Sequence, residues 1–183
     1  MTTAIRTACL LAISLSVSGC GKTADHEGQG GTMQLSSSAF REGEKIPVRY
    51  TGDGDDRSPP LAWPDPPEGT ASFAVICDDP DAPGRIWVHW VFFNISPDRR
   101  GLDEGIPSEG TLGDRSRHGK NDFGNLGYGG PAPPRGKPHR YYFKLYALDT
   151  MLSLQPGAIK DDLLKAMKGH ILAEGQLMGK YQR

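Results

Sequence analysis

The sequence has almost no charge excess, few cysteines and no long apolar run, and each shortage narrows what the chain can do. Its 21 Lys and Arg against 22 Asp and Glu leave a formal net charge of -1 over 183 residues. A chain so nearly neutral has no global field to draw a polyanion, which argues against nucleic acid as a partner. Of its 3 cysteines, Cys9 and Cys20 belong to the N-terminal apolar segment, so the body holds Cys77 alone and forms no internal disulfide. A body of this length needs no such staple, since it can bury roughly two thirds of its unfolded surface in one core. Cys77 alternates with Phe73 and Val75, which assigns it to a strand face as a small buried hydrophobe. The sequence also lacks a Gly-x-Ser-x-Gly elbow, an HExxH helix and a Walker loop, which weakens the hydrolase and nucleotide-binding classes.

The apolar segment at the N-terminus is short. Arg6 precedes a run from about Ala8 to Val17, closed by Ser18-Gly19-Cys20. This is the layout of a signal peptide over residues 1–20, too short for a permanent bilayer span. Val17-Ser18-Gly19-Cys20 resembles a bacterial lipobox, in which cleavage leaves Cys20 first and its thiol carries lipid. An ordinary secretory signal with an incidental cysteine is the competing reading. Several acyl chains on one N-terminus anchor firmly where a lone chain does not. Gly21, where Asp would be the common inner-membrane signal, favours the outer membrane, with the protein facing the periplasm or the cell exterior. Residues 21–33 hold little that can enter a core and read as a flexible tether, and His26 there has no ligand-spaced partner. The domain is expected over residues 34–183.

Within the domain, Leu35, Phe40, Ile46, Val48 and Tyr50 are spaced as short strands, followed by a polar loop over 51–57. The aspartates of that loop lack calcium-loop spacing and a closing glutamate, so a solvated loop is expected. Ala71–Asp78 and Ile86–Ile95 are near-continuous apolar runs of strand length, as in strands covered on both faces. Strict alternation puts Trp87, His89, Val91 and Phe93 on one face and Val88, Trp90, Phe92 and Asn94 on the other. Residues 97–138 are loop-rich, and a stretch that long in a compact domain is normally functional or disordered. A strand resumes over His139–Leu148, with His139 and Tyr141 pointing the same way. From Gly157 onward the spacing of Leu163, Leu164, Met167, Ile171 and Leu172 predicts two short amphipathic helices broken near Gly169.

Two stretches carry the chemistry. Cys77–Asn94 sets Asp79 and Asp81 on a proline-stiffened turn and His89 in the strand that follows, while Tyr128–Tyr146 brings a glycine-proline turn and then His139 and Tyr141. Histidines that donate to carboxylates can present N–H groups to an anion without a large net charge. Backbone amides of the Gly129–Ala132 turn are expected to complete a concave anion cradle. The expected ligand is a small phosphate-like group, with no cofactor. The plainer readings are turn-capping for the two aspartates and satisfied core positions for the two histidines. Two Asp and two His also admit a metal, but the tight Asp-Pro-Asp turn disfavours joint ligation, and no metal is expected.

Asp79-Pro80-Asp81-Ala82-Pro83, Trp87-Val88-His89-Trp90-Val91 with Asn94, Tyr128-Gly129-Gly130-Pro131-Ala132-Pro133-Pro134 and Pro138-His139-Arg140-Tyr141 resemble the phosphatidylethanolamine-binding protein family. The match is closest to its bacterial YbhB/YbcL branch, often called Raf-kinase-inhibitor-like. Ser58–Trp63 and Gly69–Val75 also fit, so the resemblance runs from about residue 35 to the C-terminus. It implies a mainly β fold: an antiparallel sandwich of a large and a smaller sheet, with short C-terminal helices. It also implies an anion pocket where Asp79, Asp81, His89, His139 and Tyr141 converge beside Gly129, Gly130, Ala132 and Pro133. Two departures stand out: Ala132 where bacterial members commonly carry Cys, and Asp56 where Asn is frequent.

The leading expectation is a non-catalytic envelope lipoprotein that binds a phosphate-like anion or phospholipid headgroup and is held to the membrane by lipid on Cys20. The alternatives are an inhibitor of a partner, with an envelope peptidase more plausible than a kinase, and a hydrolase using Asp79 and His89 as general acid and base.

Overall fold

The computed structural model describes Met1 and residues 31–183; the expected signal peptide, Cys20 and most of the tether lie outside the described residues. The strands are β1 (Gly31–Thr32), β2 (Leu61–Ala62), β3 (Ser72–Asp79), β4 (Trp87–Ile95), β5 (Gly101–Leu102), β6 (Arg117–His118), β7 (His139–Leu148) and β8 (Ile171–Tyr181), with helix α1 at Lys160–Met167. The large sheet has the order β1-β8-β7-β3-β4-β6, and β2 pairs with β5 in a small second sheet. All pairings are antiparallel except β1 with β8. The expected mainly β sandwich is therefore present.

The near-continuous apolar runs became the central strands because both faces of the sheet are covered. On one face Phe73, Val75, Trp90, Phe92, Phe143 and Leu145 pack with Leu61, Trp63 and Leu102 of the small sheet. On the other, Ala74, Ile76, Val91, Phe93 and Leu148 pack against Leu163 and Met167 of α1. A strand buried on both sides has no polar positions to show, so its period is invisible in sequence while its identity is clear. Among the described residues, no helix is long and apolar enough to cross a membrane.

Four expectations need correction. The second C-terminal helix is strand β8, paired with β7 along its length. Ala173, Gly175, Leu177, Gly179 and Tyr181 are buried, while Glu174, Gln176 and Lys180 are exposed. Two of the inward positions are glycines, which carry no apolar side chain to mark the period. They are glycine for space: a Cβ on Gly175 would lie 2.7 Å from the Met33 carbonyl oxygen, and one on Gly179 would lie 2.5 Å from Ile46 Cγ1. The segment 33–50 was expected as short strands. It forms single bridges at Ser36 and Lys45 and a 3-10 turn at Val48–Tyr50, because its bonds to the β8 edge are isolated, Gly43 and Ile46 N–H donating to the Met178 and Lys180 carbonyls, and build no continuous ladder. Gly31 and Thr32, placed in the tether by composition, pair with Ala173 and Glu174.

The fourth correction bears on the site. Cys77 pairs with Trp90 and Asp78 with Val88, so His89 is the extra residue of a β-bulge. A bulge breaks strict alternation. Trp87 and His89 consequently share a face with Trp90 and Phe92 instead of with Val91 and Phe93.

Candidate functional site

A cavity of about 210 Å³ opens where the end of β3, the start of β4 and the start of β7 meet, lined by Asp79, Trp87, His89, His139 and Tyr141 among others. Its remaining wall is apolar: Ala82 and Pro83 from the β3–β4 turn, Phe123, and Ala132, Pro133 and Pro134 from the glycine-proline turn. The antiparallel register that sets Asp78 opposite Tyr142 brings Asp79 beside the first residues of β7.

Asp79 is buried and fully engaged. Its Oδ1 accepts the Asp81 N–H at 2.8 Å, which stiffens the turn, and its Oδ2 accepts His139 Nδ1–H at 2.7 Å. That bond orients the imidazole and leaves Nε2 for the cavity. His89 is fixed differently: Nδ1 lies 2.6 Å from the Gly129 carbonyl oxygen, which can only accept, so Nδ1 carries the proton. Burial pulls the His89 pKa below the usual imidazole value, against the Gly129 carbonyl and the Asp79 carboxylate, which favour the charged form. The ring is neutral at pH 7, and Nε2 offers a lone pair. Its edge contacts with Phe123 and Tyr141, at centroid distances of 5.3 and 5.1 Å, hold it upright.

Two donors in this lining, the Tyr141 hydroxyl and Trp87 Nε1, are buried and make no hydrogen bond of good geometry among the described residues; the Tyr141 hydroxyl lies beside the Asp79 carboxylate, whose oxygens already serve Asp81 and His139. Burial first, and the Asp79 carboxylate second, push the Tyr141 phenol far above its ordinary pKa, so it stays a donor. Buried donors without acceptors cost on the order of 1–3 kcal/mol each, and such groups are normally satisfied by something.

Of the residues expected at the site, Asp79, His89, Ala132, Pro133, His139 and Tyr141 line the cavity. Asp81 does not. Its carboxylate takes Arg140 Nε at 2.8 Å, Nη2 at 2.7 Å and the Arg140 N–H at 2.9 Å, and the guanidinium holds its pKa down to about 2. Of the expected amide cradle, two of the three N–H groups are spent inside the fold, while no bond to the N–H of the lining residue Ala132 is found among the described residues. Gly129 N–H donates to the His89 carbonyl at 2.9 Å, and Gly130 N–H donates to Asp56 Oδ1 at 2.6 Å. Gly130 is required for close approach, since a Cβ there would lie 2.7 Å from Thr51 Cα. Asp56, which sits at φ 54 in the left-handed region that tolerates Asp and Asn, ties the 51–57 loop to this turn. The loop is thus exposed yet structurally bound.

Sequence reasoning missed Trp87 and Phe123 as lining residues. Trp87 is turned inward by the bulge, and Phe123 enters from the loop Asn121–Asn125, whose shape depends on Asn121 Oδ1 accepting the Phe123 and Asn125 N–H groups. No periodic signal marks either. Among the described residues, no group of three or more His, Cys, Asp or Glu is placed to hold a metal ion.

A family model described as phosphatidylethanolamine-binding protein matches residues 36–182. A UPF0098 protein of Methanothermobacter thermautotrophicus is 56% identical over 151 residues, covering 82% of this chain and 99% of the relative. A UPF0098 protein of Aquifex aeolicus is 47% identical over 156 residues, covering 84% and 91%. Among solved structures, Escherichia coli YbcL is 34% identical with TM-score 0.78, and the Chlamydia trachomatis homologue CT736 is 41% identical with TM-score 0.76. Each comparison covers 84% of this chain and 99% of the solved one. With the family model spanning every strand of the sandwich but β1, and the cavity at its sheet end, this chain belongs to the phosphatidylethanolamine-binding protein family, in its YbcL-like branch.

Proposed function

We propose that the chain is a non-catalytic binding protein that takes a singly protonated phosphate group, as in a headgroup-sized phosphomonoester, into the cavity between Asp79, His89, His139 and Tyr141. The observation that carries this reading is the pattern of unsatisfied groups. Tyr141 O–H and Trp87 N–H call for acceptor oxygens, while neutral His89 Nε2 calls for a donor. A phosphate monoanion carries both, whereas a dianion has no proton for His89 and meets the Asp79 carboxylate unfavourably. The lining contains no Ser, Thr, Cys or Lys nucleophile, and both Asp79 oxygens are occupied, which favours holding over turnover. At about 210 Å³ the cavity is below the range of roughly 300–1,000 Å³ typical of drug-sized sites, so it suits a headgroup and not acyl chains.

The test is a calorimetric titration of the soluble domain with phosphoethanolamine and inorganic phosphate. Because a phosphomonoester dianion takes up one proton near pH 6 to become the monoanion, affinity should rise roughly 20-fold from about pH 7.5 to about pH 5.5. Tyr141→Phe should weaken it about tenfold by removing one buried donor. Affinity that is flat across this range, or equal in Tyr141→Phe, overturns the reading.

The envelope setting belongs to the same proposal. Residues 1–20 and the lipobox-like Val17–Cys20 support a lipid-anchored protein facing the periplasm, outer membrane favoured. The full chain should fractionate with membranes in a bacterial host, and Cys20→Ala should release it; a Cys20→Ala protein that stays in the membrane fraction removes the anchor.

A further inference from the structure

The cavity lining contains neither Lys nor Arg, so charge compensation for a phosphate must come from behind its walls. Three arginines around it are each paired with a carboxylate, Arg85 with Asp122, Arg140 with Asp81 and Arg183 with Asp53, while Arg135, next to the lining Pro134, acts on Asp53 through its charge alone. The three pairs differ in freedom. Arg140 is bound through its backbone N–H as well as its guanidinium, and it points from the opposite face of β7 to His139 and Tyr141. Arg85 is stacked on the Trp87 ring, 4.9 Å from its centroid. Arg183 follows β8 and is held only through its side chain: Nη2 and Nε meet Asp53 Oδ1 at 2.5 and 2.8 Å.

Arg183 also reaches the cavity wall. Its Nη1 lies 3.4 Å from the carbonyl oxygen of Ala132, which lines the cavity. Its charge is felt at the Tyr141 hydroxyl, where it opposes the upward push of burial. Asp53, its partner, lies on the exposed 51–57 loop and has a second donor, the Tyr181 hydroxyl at 2.9 Å. Asp53 therefore keeps a bond if the guanidinium leaves.

We propose that Arg183 is a ligand-binding residue held in reserve: it exchanges the Asp53 carboxylate for the phosphate oxygens of a ligand seated against Ala132 and Tyr141. A guanidinium fork fits either acceptor in the same bidentate geometry, so the exchange trades one charged pair for another. This inference rests on the phosphate reading of the cavity and adds the cation that the lining lacks.

Opposite signs test it. Phosphoethanolamine affinity should weaken about fivefold in Arg183→Gln and tighten about fivefold in Asp53→Asn, which frees the guanidinium. In the Arg183→Gln background, Asp53→Asn should change nothing, because the gain passes through the arginine. If both single variants weaken binding, Arg183 is only a strap between the 51–57 loop and the glycine-proline turn, and the proposal fails. If Asp53→Asn tightens binding equally without Arg183, the effect is bulk charge, and the proposal fails again. Loss of binding in Tyr141→Phe with wild-type affinity in Arg183→Gln overturns the arginine's role while leaving the cavity reading standing. Absence of any wild-type binding overturns both.

Discussion

Replacing Asp78 with alanine should lower the unfolding free energy by about 3 kcal/mol, among the largest single-residue effects expected in this domain. Asp78 is adjacent to Asp79 on β3 but faces the other side of the sheet, toward α1. Its side chain is 3% exposed, and Oδ2 accepts Lys144 Nζ at 3.1 Å and Lys160 Nζ at 2.6 Å. Lys160 opens α1, so this carboxylate ties the helix to the sheet as well as neutralising a β7 lysine. Removing it leaves two ammonium groups on one carboxylate-sized gap. Both lysines keep some exposure, 32% and 18% of their side chains, so they can turn partly outward. That relief places the loss near the lower end of the range for breaking a buried pair, about 3–5 kcal/mol. Urea unfolding at neutral pH gives the number. Asp78→Asn should lose nearly as much, because shape is kept and charge is not. The triple change Asp78→Leu, Lys144→Met, Lys160→Met should recover most of the loss. A loss below about 1 kcal/mol in Asp78→Ala would make the cluster a surface-like pair of little weight. Asp78 faces away from the cavity, so phosphoethanolamine affinity in the folded variant should match wild type.

The contrast between Asp78 and Asp79 shows what the sequence could and could not convey. Strands β3, β4 and β7 were legible to within a residue or so, because long Val/Ile/Phe-rich runs have few alternatives in a chain this size. The meeting of Asp79, His89, His139 and Tyr141 was legible from the motif set. Which carboxylate served which partner was not. Asp78, Asp79 and Asp81 lie within four positions, and their fates diverge by pleat: one meets two lysines beneath the helix, one orients a histidine, one clamps Arg140 at the surface. The His89 bulge was hidden because it changes register against β3 without altering composition. Strand β8 was missed because glycine at two inward positions left a helix-like scatter of Leu and Met. The glycine-proline turn forms a wall of the site as expected, but two of its amides, those of Gly129 and Gly130, are already bonded. Their acceptors, the His89 carbonyl and Asp56, are a strand edge and a loop distant in sequence. Local pattern marks which residues are unusual; only the tertiary register says which of their hydrogen bonds are already made.

The same logic of committed hydrogen bonds makes His118 the acid-sensitive point of the fold. It is wholly buried, stacked on Phe92 with ring centroids 4.3 Å apart. Trp90 Nε1 donates to its Nδ1 at 3.2 Å, so Nδ1 must keep its lone pair, and its Nε2 donates to the Pro107 carbonyl at 2.9 Å. A second proton would set an N–H against the Trp90 N–H in a dry site. Burial accordingly pulls the pKa down to about 4 from the ordinary 6.5, with the Pro107 carbonyl opposing only in part. The unfolded chain therefore takes up a proton near pH 6.5 that the native ring resists until about pH 4. Stability from this group is fully present above pH 6.5 and declines as pH falls through that window. Each unit of the difference is worth about 1.4 kcal/mol, so the total is roughly 3 kcal/mol. His89 is shifted the same way and adds to the wild-type slope, whereas Asp81 acts only at lower pH, between the ordinary carboxylate value and about 2. His118→Gln keeps an acceptor and a donor but does not titrate. Urea unfolding at about pH 7.5 and about pH 4.5 should show wild type losing about 2–3 kcal/mol more than His118→Gln between the two. Equal losses in the two proteins would move the acid sensitivity elsewhere in the fold.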